Sequence, residues 1–382
     1  MTASPHLLIN GLSVGSGGGL TVARELFANL AQARPNWRVS IALSSGRPLH
    51  EEMRSNTNPS NAEQLWAPAT TASLRFRSRY ERTGLAQWAA GNRVNAVVQL
   101  NGMVIPAFPA KALCHFQDPW PYRSEAWSGL RDRLIAMAKR RAHAGALRRA
   151  WATGFTSQYL KELICEHHHF RPLRAQVFYN GLPESWVHRS SVENVEWSAR
   201  PMELLSVSNV APYKRQELVI RAMPQLIRRA GLQHLIYRIV GEVDPGYRRH
   251  LQKVANSLGV SEHVSIEGRV SNIRLTELFR QARAFVLMSV CESFGIPAVE
   301  AMSFGTPVIT SDCCAMPEVC GRAAELCPAD DLPALIERLA HVLTDEQRAS
   351  ELRAAGIEQV RRFTWHDTAR QMATLLDEAM LP

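Results

Sequence analysis

Two glutamates with seven residues between them, Glu292 and Glu300, frame the segment of this sequence most suited to bind a polar ligand. Carboxylates accept hydrogen bonds from hydroxyl groups, and burying a carboxylate in an apolar core is costly. Between them, the backbone N–H groups of Phe294, Gly295 and Ile296 are predicted to lie at the start of a helix, a position where phosphate groups bind. The segment therefore predicts a site for a ligand with both hydroxyls and phosphate. The alternative is a loop carboxylate at Glu292 and a helix-dipole contact at Glu300, worth roughly 0.5 kcal/mol.

A strand, a loop and a helix must position these two glutamates. The apolar run that begins at Val286 predicts a buried parallel strand, and Pro297 fits the first turn of a helix. Gly305 suits the left-handed position after that helix, and the next strand is predicted over Val308–Thr310. The first glutamate then follows the carboxyl end of a strand, and the second lies about one turn into the helix.

The same segment carries a longer pattern. Glu-x7-Glu contains Ser-Phe-Gly and is followed by Ala-Met-x-x-Gly-x-Pro-Val. This pattern resembles the donor site of family 4 retaining glycosyltransferases, which have the GT-B fold. The resemblance implies an α/β protein with two doubly wound, Rossmann-like domains that face each other across a cleft. It also implies that Glu292 is catalytic and that four residues after it bind the donor, namely Phe294, Gly295, Ile296 and Glu300.

Further donor-site residues follow from the resemblance. The family usually has Arg-x4-Lys after the first strand of the second domain, and these two cations hold the donor diphosphate. Lys214 matches the lysine and is the candidate catalytic cation, whereas Asn209 stands where arginine is usual. Asparagine can still donate hydrogen bonds to phosphate. The backbone near Val270, with Asn272 beside it, is implied to contact the nucleobase.

A glycine-rich loop follows the first predicted strand, His6–Asn10, and leads into an amphipathic helix. Its spacing differs from that of a dinucleotide-binding loop because Leu20 occupies the last glycine position. No acidic residue follows the second predicted strand, Arg38–Leu43, so NAD binding is not expected. The resemblance implies that the loop faces the cleft near the donor diphosphate and the acceptor, through Gly17, Gly18 and Gly19. A tight turn that requires glycine is the alternative.

A histidine is the candidate residue for the acceptor side of the site. The predicted strand Ala112–Phe116 contains His115, and Asp118 follows it. In the resembled family a polar residue at the end of this strand lies beside the transferred sugar, which implies His115 as a catalytic or acceptor-side residue. A buried core histidine is the alternative. The triple His167–His169 is interpreted as surface, because three consecutive residues of a regular helix or strand cannot all face one metal ion.

Length and charge indicate how the chain is organised. The 382 residues exceed what one hydrophobic core usually serves, which predicts two domains, residues 1–185 and 200–362. The resemblance implies that the final segment 363–382 forms a helix crossing back to the first domain. Residues 1–182 contain 22 Lys and Arg against 10 Asp and Glu, whereas the whole chain has a net charge of +9. The basic excess therefore lies entirely in the N-terminal half, where it favours an anionic partner.

Two basic segments contribute to this excess. Between residues 46 and 92 the chain is predicted to be irregular, with a solvated arginine cluster at positions 75, 77, 79 and 82. The segment Leu130–Trp151 predicts an amphipathic helix with its basic residues outward. The residues predicted to face inward are Leu134, Met137, Ala138, Leu147 and Trp151. Such a helix suits an anionic membrane surface, and a solvated face is the alternative. No nucleic-acid-binding motif is present, so nucleic acid is not expected as a partner.

The seven cysteines show no Cys-x-x-Cys pair, which fits reduced thiols. No signal peptide and no membrane-spanning segment are expected. Together with the basic helix, these features predict a cytoplasmic protein that is peripheral on the inner face of the membrane. No cluster of acidic residues is spaced to hold a divalent cation, so neither metal nor cofactor is expected.

The predicted activity is transfer of a hexose, with mannose or a related sugar as the candidate, from a nucleoside diphosphate sugar to a hydroxyl of a lipid-linked saccharide. The pathway would be synthesis of cell-surface polysaccharide such as lipopolysaccharide O-antigen. One alternative is a GT-B nucleotide-sugar epimerase, against which the Glu-x7-Glu loop argues. The other is a GT-B module that binds saccharide without catalysis, which the retained lysine and glutamates do not favour and Asn209 leaves open.

Overall fold

The computed structural model describes residues 4–15, 18–47, 50, 53, 59–183, 186 and 196–380. These residues form two compact units. The first comprises residues 1–122, 129–181 and 365–382, and the second comprises residues 123–128 and 182–364. We call them the first and the second domain.

The first domain contains a seven-stranded parallel sheet with strand order β3-β2-β1-β4-β5-β6-β7. Its strands are β1 His6–Asn10, β2 Arg38–Ser44, β3 Ala62–Ala67, β4 Ala96–Gln99, β5 Lys111–Phe116, β6 Ala152–Phe155 and β7 Ala175–Val177. Its first helices are α1 Gly18–Ala33, α2 Leu74–Tyr80, α3 Ala86–Gly91, α4 Leu130–Arg149 and α5 Gln158–His167, with a π-helical turn over Glu81–Leu85. The order reverses between β1 and β4, which is the point where ligands bind in open sheets of this kind.

The second domain contains a six-stranded parallel sheet with strand order β10-β9-β8-β11-β12-β13. Its strands are β8 Glu203–Val207, β9 Ile236–Val240, β10 Val264–Gly268, β11 Ala284–Leu287, β12 Val308–Ser311 and β13 Ala324–Cys327. Its helices are α6 Gln216–Leu226, α7 Pro245–Ser257, α8 Asn272–Gln281, α9 Ile296–Ser303, α10 Met316–Cys320, α11 Leu332–Thr344 and α12 Glu346–Val360. Both sheets are parallel and their central strands are short and apolar, as expected when helices cover both faces.

The last helix, α13 Trp365–Met380, belongs to the first domain. It packs against α1 through an apolar face, and Arg34 binds the Asp377 carboxylate, with Nη2 2.5 Å from Oδ2. The Thr368 hydroxyl also donates to the backbone oxygen of Tyr179. The chain therefore returns to the first domain after completing the second.

Three sequence predictions about the first domain are wrong. Arg77, predicted to belong to a solvated arginine cluster, has only 8% of its surface exposed. The segment 46–92 is not irregular, because it contains β3, α2, α3 and the π-helical turn. In α4 the predicted inward residues Leu134 and Met137 are exposed by 54% and 43%, whereas the predicted Leu147 is buried together with Ala136, His143 and Ala146. The apolar residues in the first half of this helix are spread around its circumference, so spacing alone did not identify the buried face.

Candidate active site

The loops that follow β8, β9, β10 and β11 meet at the carboxyl edge of the second sheet. Gly241, after β9, has φ +140°, and its N–H donates to the Gly268 oxygen over 2.8 Å. A Cβ at this position would lie 1.8 Å from the backbone oxygen of Ser208, after β8. Three strand ends can therefore approach one another only because residue 241 is glycine.

Lys214 and Glu292 meet at this edge, from the loops after β8 and β11. The Lys214 ammonium lies 2.5 Å from Glu292 Oε1, and both side chains are largely buried. Burial by itself lowers the pKa of Lys214, but the adjacent Glu292 carboxylate outweighs this effect and the pKa is raised. The ammonium is thus held charged in a site with little water, where a charge acts most strongly.

Backbone contacts fix the two loops that carry this pair. The N–H of Val290 donates to the backbone oxygen of Tyr213 over 2.9 Å, which ties the loop after β11 to the short 3₁₀ turn Pro212–Lys214. The Arg123 Nε donates to the Val290 oxygen from the other side. The cation also lies 5.3 Å from the ring centre of Tyr213, a distance that allows a cation–π contact.

The start of α9 lies directly after the loop that carries Glu292. Gly295 has φ +82°, a conformation that favours glycine, and a Cβ there would lie 2.6 Å from Met316 Sδ, so that side chain would have to shift. The helix begins at Ile296. Pro297 has no N–H and the Ala298 N–H donates to the Gly295 oxygen over 2.9 Å, so the Ile296 N–H is the one at the helix start that has no acceptor within the helix. The Phe294 ring is buried against Phe363, with ring centres 5.1 Å apart. A contact of Phe294 with the donor would therefore involve its backbone.

Glu300 lies on α9, just over one turn after the helix start, and is half-buried. Burial raises the pKa of its carboxyl group to about 7. The raised pKa favours the neutral carboxyl group, which can donate as well as accept a hydrogen bond.

The remaining predicted donor residues are spread along the same edge. Asn209 is exposed, five residues before Lys214, while Val270 is half-buried in the loop after β10. Asn272 is exposed at the first position of α8, a helix capped by the Ser271 hydroxyl. Their positions follow the order β10-β9-β8-β11, so the predicted donor residues occupy one continuous edge of the sheet.

On the first sheet, the structure does not join His115 to Asp118. His115 lies in β5, is only 1% exposed and packs edge-on against Phe178. Burial lowers its pKa to about 4, so the imidazole is neutral at physiological pH. Asp118 instead pairs with Lys139 at 2.9 Å and caps the turn at Trp120. The assignment of His115 and Asp118 to the acceptor side stays a prediction.

Three polar residues that the sequence reasoning did not single out meet where the strand order reverses. Asn10 ends β1, Gln99 ends β4, and Glu81 begins the π-helical turn. The Asn10 amide donates to Gln99 Oε1 and to Glu81 Oε1, each over 2.9 Å. Within the described residues, the buried Gln99 Nε2 has no acceptor. In the sequence, the polar residues Asn10 and Gln99 at the ends of two otherwise apolar strands were the signal that could have identified this cluster.

The glycine-rich loop is described only in part. Gly18 and Gly19 form the first residues of α1, and a Cβ on Gly19 would lie 3.4 Å from Val14, an ordinary contact. Gly17 lies outside the described residues. The predicted role of these glycines beside the donor stays a prediction.

The histidine triple is not wholly at the surface. His167 and His169 are exposed, but His168 Nε2 lies 2.9 Å from the Tyr122 hydroxyl, which also bonds His143. In the parts of the chain that the structure describes, no three His, Cys, Asp or Glu residues are placed to hold a metal ion. The seven cysteines, all described, are free thiols. No described helix has the length and apolar character needed to cross a membrane.

Comparison with known proteins finds a family model that matches residues of the second domain. Residues 191–361 match the family model described as glycosyl transferases group 1. D-inositol 3-phosphate glycosyltransferase 2 of Catenulispora acidiphila is 27% identical over 202 residues, 50% of this chain and 47% of that protein. Phosphatidyl-myo-inositol mannosyltransferase of Mycobacterium leprae is 32% identical over 164 residues, 42% of each chain. The chain thus spans less than half the length of these curated relatives.

Solved structures match almost the whole chain. Sucrose-phosphate synthase from Thermosynechococcus elongatus has a TM-score of 0.78 at 18% identity, with 98% of both chains covered. Anabaena HepE in complex with UDP and glucose has a TM-score of 0.74 at 17% identity, covering 98% of this chain and 100% of that one. At this identity the likeness shows the fold alone. It confirms the predicted GT-B fold class with two Rossmann-like domains.

Proposed function

We propose that this protein is a retaining glycosyltransferase that moves a hexose from a nucleoside diphosphate sugar to a hydroxyl group of a saccharide. The observation that carries the proposal is the buried pair of Lys214 and Glu292 beside the start of α9. It combines a fixed cation, a carboxylate and helix-start N–H groups at the carboxyl edge of a parallel sheet. This combination suits a ligand that has both phosphate and hydroxyl groups.

The chemistry follows from where charge develops. Transfer breaks the bond between the anomeric carbon and a diphosphate oxygen and forms a bond to the acceptor oxygen, while the hydroxyl proton passes to an oxygen of the departing diphosphate. Negative charge grows on that diphosphate, where Lys214 and the backbone N–H groups of Gly295 and Ile296 stabilise it. Glu292 accepts hydrogen bonds from hydroxyls of the transferred sugar. None of these roles needs a divalent metal or another cofactor.

We assign the other donor contacts by position along the edge. Glu300 binds the ribose hydroxyls, the backbone at Val270 and the amide of Asn272 contact the base, and Asn209 assists Lys214 at the diphosphate. Gly295 and Ile296 offer backbone N–H groups. The likeness to Anabaena HepE supports a nucleotide sugar as co-substrate, since that protein was solved in complex with UDP and glucose.

The transferred sugar and the acceptor are proposed from relatives. The name of the Mycobacterium leprae relative specifies a mannosyltransferase that acts on a phosphatidyl-inositol, which supports mannose and a lipid-linked acceptor. We place the acceptor on the first domain, with His115, Asp118 and the glycine loop Gly17–Gly19 nearby. The product would then enter cell-surface polysaccharide.

The exposed surface of α4 supports docking on the inner face of an anionic membrane. Leu130, Leu134, Ile135 and Met137 are exposed on this helix. They lie among exposed arginines at positions 131, 133, 141, 148 and 149. Apolar side chains enter the interface, and each basic residue near anionic lipid contributes about 1 kcal/mol. An aqueous surface alone does not favour so many exposed apolar side chains on one helix.

Liposome co-sedimentation tests this localisation. We expect salt-sensitive binding of the wild type to anionic vesicles and none to neutral ones. A variant altered on α4 should lose it, with the changes Leu134→Ser, Met137→Ser, Arg133→Gln and Arg141→Gln. A charge-matched control on exposed residues of α7, Arg249→Gln with Lys253→Gln, should bind like the wild type. Equal binding by the α4 variant would exclude this surface as the membrane contact.

The activity itself is tested with purified protein and a panel of nucleotide sugars. Thermal stabilisation by one of them, followed by sugar transfer to a saccharide, is the expected result. Release of a free epimerised sugar without an acceptor would instead indicate an epimerase. Saccharide binding with no consumption of any nucleotide sugar would indicate a non-catalytic module.

A further inference from the structure

Two adjacent cysteines follow β12, next to the loop that carries Glu292. Cys313 and Cys314 are each partly exposed, whereas the other five cysteines are buried. The peptide between them is trans, which places their Cα atoms about 3.8 Å apart. Rotation about their side-chain bonds can therefore bring the two sulfur atoms into contact. This part of the chain thus offers two accessible thiols that can react as a pair.

Both thiols donate to the backbone of the loop after β11. The Cys313 Sγ lies 3.5 Å from the Ser289 oxygen, and the Cys314 Sγ lies 3.2 Å from the Val290 oxygen. Each of these oxygens also accepts a hydrogen bond from another side chain. The thiols can therefore turn away from the loop without leaving a backbone oxygen unpaired.

The backbone at Cys314 is held in a conformation that favours glycine. Its φ is +60°, in the left-handed region, where other residues are strained. The N–H of the next residue, Ala315, donates to the Glu292 oxygen over 3.5 Å. A change in the backbone at Cys314 would therefore reach Glu292 directly, and with it the ion pair to Lys214.

We propose that Cys313 and Cys314 form a reversible disulfide, and that this disulfide slows sugar transfer by displacing Glu292. The effect on transfer rests on the proposed glycosyltransferase function, whereas formation of the bond does not. Ring closure draws the two side chains together and forces the backbone between them to adjust. The reduced pair leaves the site as the structure has it, and the oxidised pair disturbs it.

The oxidant is a small-molecule disulfide such as oxidised glutathione. One cysteine attacks it, which forms a mixed disulfide with the protein and releases one small thiol. The other cysteine then attacks the protein sulfur of the mixed disulfide, which closes the ring and releases the second small thiol. The two protein thiols are thereby oxidised, the small disulfide is reduced, and the two thiol protons leave with its products.

Ring closure between adjacent cysteines is strained, which makes the bond reversible. Disulfide-bonded cysteines usually have Cα atoms about 4.4–6.8 Å apart, more than the separation across one peptide. Strained disulfides are easily reduced and are the labile, regulatory kind. The contact with Cys314, and burial after it, raise the pKa of Cys313, which slows attack by its thiolate. Oxidation should therefore need an excess of the small disulfide.

Mass spectrometry after cyanogen bromide cleavage locates the bond. Cleavage at methionine yields a fragment 303–316, in which Cys313 and Cys314 are the only cysteines. After incubation of the whole protein with oxidised glutathione, we expect this fragment to be lighter by two hydrogen atoms. Excess dithiothreitol should restore its mass. An unchanged mass, a fragment that keeps bound glutathione, or one joined to the fragment of Cys291 or Cys320 would overturn the proposal.

Kinetics test the consequence of oxidation, with the donor identified in the panel of nucleotide sugars. Oxidation should slow transfer about tenfold or more, because Glu292 is no longer held in position, and dithiothreitol should restore the rate. Cys313→Ser and Cys314→Ser keep a side-chain donor and should transfer at the wild-type rate with or without the oxidant. Cys165→Ser and Cys327→Ser are matched controls that should stay as sensitive as the wild type.

The mass and the rate fail separately. If the disulfide forms in the fragment 303–316 and the rate of transfer does not change, the control of transfer is refuted. Loss of sensitivity in either control variant would assign the oxidation to another cysteine and overturn the proposal. If the reduced protein transfers no sugar from any donor although the disulfide still forms, the glycosyltransferase function fails and the dithiol site stands.

Discussion

The carboxyl edges of the two sheets carry their charge in different ways. At the second edge, Lys214 and Glu292 form a buried ion pair in the unliganded chain. At the first edge, the Asn10 amide donates to Gln99 Oε1 and to Glu81 Oε1, and burial raises the pKa of Glu81, which favours the uncharged form. The second edge therefore holds a pair of opposite charges before a ligand arrives, whereas the first edge holds a network of polar groups.

This difference predicts how each edge would interact with a bound ligand. A preformed pair keeps the cation charged and oriented, so that stabilisation of a departing group needs no rearrangement during the reaction. Paired charges contribute less to ground-state affinity, because the ligand competes with the internal partner. Uncharged hydrogen-bonding groups such as those at the first edge instead suit a ligand with hydroxyl groups.

The largest effect should come from breaking the pair at the second edge. Lys214→Ala and Glu292→Gln are each expected to reduce the rate of sugar transfer on the order of 100-fold or more, because each removes a preorganised group. Steady-state kinetics with the donor found in the panel provide the measurement. Lys253→Ala and Glu217→Gln alter residues away from the pair and serve as controls. Near wild-type rates in a folded pair variant would show that the ion pair is structural.

The next largest effect should come from replacing the glycines that allow close backbone contacts at the sheet edges. Gly241→Ala should lower the free energy of unfolding by about 2 kcal/mol or more, because its Cβ would overlap the Ser208 oxygen. Gly46→Ala should do the same at the first edge, against the Ala69 oxygen. Urea denaturation measures both changes.

Matched glycines separate steric overlap from conformation. Gly231 has φ +80° but no atom within 4 Å of the point where a Cβ would lie, so Gly231→Ala reports the cost of positive φ alone. Gly91, with neither feature, provides the same control for Gly46. If Gly241→Ala were no more destabilising than Gly231→Ala, the proposed close approach of strands at the second edge would be incorrect.

A smaller effect is expected at Glu300. Glu300→Gln should raise the KM for the donor by about tenfold or less and change kcat little, because a ribose contact is the same in the ground and transition states. A large fall in kcat at unchanged donor KM would instead place Glu300 at the reacting centre.

The Glu300→Gln substitution should also change how the stability of the protein depends on pH. The folded pKa of about 7 lies above the ordinary value of 4.5, so the folded chain retains a proton that the unfolded chain releases between these values. The stability contributed by this group therefore falls as the pH rises from 4.5 to about 7. Glu300→Gln removes that dependence and should gain melting temperature relative to wild type at about pH 8 but not at about pH 5. Parallel melting curves would contradict the raised pKa.

The smallest expected effect is that of chelation. If Lys214 and the start of α9 carry the diphosphate charge, EDTA should leave the rate of transfer unchanged. The assay is run in EDTA and then with added Mg²⁺ or Mn²⁺. Loss of activity that either ion restores would mean that the second edge needs a metal in addition to its lysine.

The sequence by itself determined the fold class and the second edge in some detail. Short apolar strands, glycine and proline signals and the Glu-x7-Glu spacing are local features, and they placed Gly305 at the left-handed position after α9 and Glu292 after a strand. Residues close in sequence keep their relation in any fold that forms the same elements.

Tertiary structure decided what depends on neighbours distant in sequence. The pairing of Lys214 with Glu292 links positions 78 residues apart, and Arg77 is buried although its arginine neighbours on α2 are exposed. The edge strand β3 was missed because its residues are half-buried and mixed in polarity. Which side of α4 is buried likewise depends on the surface it packs against, since its apolar residues do not form a single stripe.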